Sequence, residues 1–156
     1  MARKDLVIII LAAMVLMASL VASLYKFNKS NDEVILYSEM DSSCNLNQSE
    51  CVLRLNDGAE VVLSIEPRPI PVLKPLELKV EIHNLKSEKI VVDFKSIGMN
   101  MGINKSIMQQ TSPGVFSGKG MLPVCVRNRM SWNANLLIQT PEGIISTSFL
   151  FDTTRR

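Results

Sequence analysis

Sulfur is the chemistry this sequence offers. Outside the apolar N-terminal segment and the initiator, methionine stands at Met40, Met99, Met101, Met108, Met121 and Met130, and cysteine at Cys44, Cys51 and Cys125. Met99 and Met101 are two residues apart, so on an extended strand both thioethers project from one face. Thioether and thiolate are soft ligands that favour Cu(I). Met99 and Met101, joined by Met121, Cys125 or Met130, therefore make a candidate soft-metal site. Gly98, Gly102, Gly118 and Gly120 would let backbones approach closely around it. Packing accounts for the same residues in another way, since methionine is a flexible filler of irregular cores.

The other cysteines point to compartment. Cys44 and Cys51 bracket a short polar loop, Asn-Leu-Asn-Gln-Ser-Glu, and in an oxidising compartment a local disulfide is the default pairing. Cys125 is then left over: buried and inert, joined to another chain, or a soft-metal ligand. A bridge from Cys125 to Cys44 or Cys51 stays open. There is one histidine, His83, so no His cluster within one chain binds metal or runs a proton relay. GxGxxG, P-loop and GxSxG motifs are absent. Asp93 and Glu142 show no partner for acid–base work, so the reading is non-enzymatic. The net charge of +2 gives no cause to expect nucleic acid.

These residues need a scaffold and a location. Leu6 to Leu24 carries no charge and, apart from Ser19 and Ser23, is apolar. A bilayer core takes roughly 20 such residues as helix. Arg3 and Lys4 precede it and favour a cytoplasmic N-terminus. A cleaved signal peptide is the rival reading, with Val21-Ala22-Ser23 as a poor cleavage site, but its apolar region would ordinarily be shorter. Residues 1–5 are thus read as cytoplasmic, 6–25 as a transmembrane anchor in the inner membrane, 26–43 as a polar tether and 44–156 as a periplasmic domain.

That domain reads as all-β. Asp57-Gly58 between Val52–Leu55 and Glu60–Glu66 signals a tight hairpin. Pro67, Pro69, Pro71 and Pro75 forbid a helix and suit an extended edge connection. Leu76–His83 alternates apolar and polar, which buries one face. Lys89–Lys95, Ser106–Gln110, Val115–Val126, Trp132–Thr140 and Ile144–Phe151 follow, separated by turn signals such as Pro113-Gly114 and Pro141-Glu142-Gly143. Seven or eight short strands of half-apolar character pack as an antiparallel β-sandwich, with Trp132 in its core.

The stretch from Ile97 to Phe151 carries, in order, G-M-N-M-G, P-G-V-F-S-G-K-G, L-P-V-C, M-S-W and a terminal F-L-F. This order resembles the FixH/YtkA-like family of envelope proteins. The resemblance implies an immunoglobulin-like domain behind an N-terminal anchor, and copper delivery or terminal-oxidase assembly as the activity. It matches Met99 and Met101 to the family's methionines and Trp132 to its structural tryptophan. The family's methionine strand commonly has a histidine nearby, whereas Met99 to Met108 has none, which shifts the site toward sulfur alone. The expectation is a periplasmic accessory protein that binds Cu(I) transiently and exchanges it with a respiratory oxidase or a copper chaperone. The alternative is an immunoglobulin-like interaction module that stabilises a membrane complex, with its methionines in the core.

Overall fold

A computed structural model describes residues 3–29, 34–38, 44–55 and 57–154. Helix α1 spans Arg3–Lys29. Its segment Val7–Tyr25 is long and apolar enough to cross a membrane, and none of it is buried against the rest of the chain. A signal sequence meets the same criterion.

Ten strands follow, namely β1 Val34–Ser38, β2 Cys51–Arg54, β3 Glu60–Glu66, β4 Leu76–His83, β5 Lys89–Ser96, β6 Lys105–Ile107, β7 Gln109–Ser112, β8 Val115–Gly120, β9 Arg129–Thr140 and β10 Gly143–Thr154. They form two five-stranded sheets, ordered β1-β10-β9-β5-β6 and β2-β3-β4-β8-β7. Every pairing is antiparallel except β1 with β10. The inward face of β4 (Leu76, Leu78, Val80, Ile82) meets that of β9 (Met130, Trp132, Ala134, Leu136, Ile138) in one apolar core. Two-residue alternation builds both faces, because each sheet can bury only one side.

The strand count exceeds the seven or eight expected, for two reasons. Val34–Ser38, within the stretch read as a tether, adds to the edge of β10 as β1. The single strand expected at Ser106–Gln110 is two, because the chain changes sheets at Met108. β6 pairs with β5, β7 pairs with β8, and the Met108 N–H donates to the Ile90 carbonyl at 2.9 Å between them. The buried Met108 side chain fills the corner against Gly118, where an added Cβ would lie 2.6 Å from the Met108 Sδ. Trp132 is fully buried and its indole N–H donates to Thr153 Oγ1 at 2.9 Å. A buried indole needs such a partner.

Candidate metal centre

Four connections gather at one end of the two sheets. Ser96 at the end of β5 pairs with Trp132 near the start of β9, and Leu76 at the start of β4 pairs with Gly120 at the end of β8. The β3–β4 connection (67–75), the β5–β6 loop (97–104) and the β8–β9 loop (121–128) therefore leave from the same end. The Cys44–Cys51 loop closes beside them, with the disulfide formed and its Cα atoms 5.7 Å apart.

Backbone and amide hydrogen bonds hold these loops in place. Ile97 N–H donates to Ser131 O, and Phe94 N–H to Asn104 O, both at 2.9 Å. Asn104 Nδ2 donates to Met121 O at 3.0 Å, which joins the β5–β6 loop to the β8–β9 loop. Leu73 N–H donates to Leu122 O at 2.9 Å, which brings in the proline-rich connection. The fully buried Leu122 side chain pins the β8–β9 loop to the core.

Met99 and Met101 do not lie on a strand. Gly98 and Gly102 take φ of +81° and +78°, and Gly102 N–H closes a turn on Asn100 Oδ1 at 2.9 Å. Ser96 Oγ donates to the Met99 carbonyl. This compact loop nevertheless turns both methionines onto the margin of the core, where each is half-buried. Opposite, the Cys125 thiol is 8% exposed and directs its Sγ at Met99 Sδ, 3.4 Å away.

The structure thus sorts the sequence-derived set. Met99 and Cys125, 26 residues apart in the chain, are brought into contact. Met101 lies on the same core margin from the same loop. Met130 points into the core from β9 and is 5% exposed, so it serves packing. Met121 is exposed, and its backbone rather than its sulfur serves the site by holding Asn104. His83 lies at the opposite end of β4, 4.0 Å from Glu81. Cys125 forms no disulfide, and among the described residues no group of three or more His, Cys, Asp or Glu side chains converges. Asp93 is buried and pairs with Lys95 at 3.7 Å.

Arg127 is exposed in the bend of the β8–β9 loop, with its Nη1 4.0 Å from where a Cβ on Gly98 would stand. Nothing in the local sequence connects residues this far apart; only the loop packing does. Farther round the same end, an open groove of about 1210 Å³ runs between the disulfide loop, Pro67–Val72 and the outer face of β9 and β10. Its lining includes Ile97, Arg129 and Asp152 but neither Met99 nor Cys125. On its wall Asp152 accepts from Ser131 Oγ at 2.6 Å and from Arg129 at 2.5 Å, and these two bonds hold its carboxyl below the usual range.

A thiol and a thioether in contact at a core margin make a soft donor pair. Such a set suits a monovalent d¹⁰ ion far better than Mg²⁺ or Ca²⁺. Binding would deprotonate Cys125 and release a proton. No family model, curated protein or solved structure matches this chain.

Proposed function

We propose that this chain is a membrane-anchored accessory protein of the bacterial envelope that handles Cu(I). In this reading α1 is an uncleaved anchor in the inner membrane. The immunoglobulin-like sandwich stands in the periplasm, and a respiratory oxidase or a copper chaperone exchanges the metal with it. The observation that carries the reading is the 3.4 Å contact between Cys125 Sγ and Met99 Sδ on two loops tied together at one end of the sheets. The protein acts without covalent chemistry: soft sulfurs bind, and ligand exchange with a partner's sulfurs releases the metal.

A second reading is favoured by the half-burial of Met99 and Met101. Here the sulfurs simply seal the core margin, and the domain is an interaction module that stabilises a membrane complex. A competitive Cu(I) titration of the detergent-solubilised chain against a chromophoric chelator separates the two. Copper handling requires one tightly held Cu(I) per chain, lost on Met99→Leu and on Cys125→Ser. Equal, weak retention by all three proteins would sink it and leave the packing reading.

A further inference from the structure

The loops at the sulfur-bearing end expose large apolar side chains that the turns at the opposite end do not. Val126 is 86% exposed, Ile103 89% and Leu73 58%, with Ile97, Met121 and Val124 exposed around them. They come from the three loops that the Leu73–Leu122 and Asn104–Met121 hydrogen bonds tie together. Among the described residues, the turns at the other end, 55–59, 84–88, 113–114 and 141–142, hold no exposed large apolar side chain. A cluster of this kind, gathered on three adjoining loops, marks a binding surface.

The three loops that carry the apolar side chains are basic: segments 67–75, 97–104 and 121–128 contain Arg68, Lys74 and Arg127 and no acidic residue, while the disulfide loop beside them adds the exposed Glu50. Arg68 is held by Glu66 at 3.2 Å, while Lys74 and Arg127 make no ion pair among the described residues. Topology sets this end far from the start of β1. Val34, the first residue of β1, pairs with Ile144 beside the β9–β10 turn. The rest of β10 then runs to Thr154 at the sulfur end, ten residues at about 3.4 Å each, or roughly 34 Å.

We infer that this end is a docking face for an envelope protein whose own surface has an apolar centre and a rim of carboxylates. Apolar side chains supply the buried centre of such an interface, and Arg127 and Lys74 supply rim charges that steer and orient. A second copy fits poorly, because it would set Arg127 and Lys74 against like charges. This inference rests on the envelope location proposed above but does not depend on copper.

The test places a photocrosslinking amino acid at Val126 in the full chain in its own membrane, with the same probe at Glu142 as the control end. The expected result is one protein adduct from Val126 that is missing from Glu142. Arg127→Glu with Lys74→Glu should cut its yield by about tenfold, since like charges then face each other across the rim. Lysines placed at the carboxylates of the crosslinked partner peptide should restore it. Depleting the membranes of copper with a Cu(I) chelator, which empties the proposed metal site, should leave the adduct in place. An adduct only to lipid or to a second copy, equal yields from both ends, or a yield indifferent to the charge reversals or lost on copper depletion would overturn the proposal.

Discussion

Replacing Met99 by leucine separates ligation from packing, because the two roles predict different sizes of effect on different readouts. The side chain is half-buried at the core margin, and leucine has nearly the same volume. Volume-conserving apolar swaps cost less than about 1.5 kcal/mol, and a partly exposed site sits toward the low end of that range. At roughly 4 °C per kcal/mol for a domain of this size, the melting temperature should fall by no more than about 4 °C. Affinity for Cu(I) is another matter. Loss of a supporting residue around a metal typically weakens binding about 10- to 100-fold, and loss of a direct sulfur ligand should reach at least the upper figure. Differential scanning fluorimetry and chelator competition on one preparation read both quantities. Cys125→Ser gives the complementary pattern. A hydroxyl in a site 8% exposed forfeits its hydrogen bonds with water. That costs about 1–3 kcal/mol in stability, in addition to the lost thiolate. A Met99→Leu protein with unchanged Cu(I) affinity and a melting temperature lowered by 10 °C would refute the assignment: the contact would then be packing.

Three further outcomes follow from the same geometry. Gly114 has φ of +73°, and a Cβ there would lie 2.6 Å from the Ile82 carbonyl oxygen, so Gly114→Ala should destabilise by at least about 2 kcal/mol, read by chemical denaturation. Opening the Cys44–Cys51 disulfide, which links residues seven apart, should cost about 2.5 kcal/mol by loop-closure entropy, measurable as a lower urea midpoint in reductant. Hydrogen bonds from Ser131 and then Arg129 depress the Asp152 carboxyl. Its contribution is therefore complete above the unfolded carboxylate value of about 4 and fades as pH falls through the lower folded value. Asp152→Asn should flatten that part of the acid limb in a melting-temperature profile while leaving the neutral region parallel.

Where neighbours in sequence are neighbours in space, the sequence was legible. The alternation in Leu76–His83 is β4 to the residue, and Asp57-Gly58 sits between β2 and β3, with φ of +82° at Gly58. Ile145, Thr147, Phe149 and Phe151 share the buried face of β10 as their period of two requires. The local Cys44–Cys51 disulfide also follows from spacing. What depended on distant partners was not legible. β1 exists because Val34–Ser38 finds the edge of β10, more than a hundred residues on, and no local pattern announces a parallel pairing. The break at Met108 is set by two sheets competing for one segment. For the site, Met99 and Cys125 were both in view as soft ligands, but their contact belongs to the packing of two irregular loops. The strand expected for Met99 and Met101 gave way to the left-handed glycines on either side, Gly98 and Gly102.

The contact of Cys125 with Met99 bears on how a metal would enter. Cys125 Sγ and Met99 Sδ now touch at 3.4 Å. Bonds from sulfur to a d¹⁰ ion, taken at about 2.3 Å as for zinc, put two sulfurs roughly 4.0 Å apart at a trigonal angle and about 4.6 Å apart in a line. Under the copper reading the pair would have to open by about 0.6–1.2 Å. Cys125 belongs to a loop whose buried Leu122 and its carbonyl bond to Leu73 resist displacement. Met99 has an unbranched side chain with three rotatable bonds, which can move while its loop stays held. Under the copper reading, Cys125 would hold a soft ion from its pinned loop, and Met99 would be the sulfur whose side chain moves to admit it.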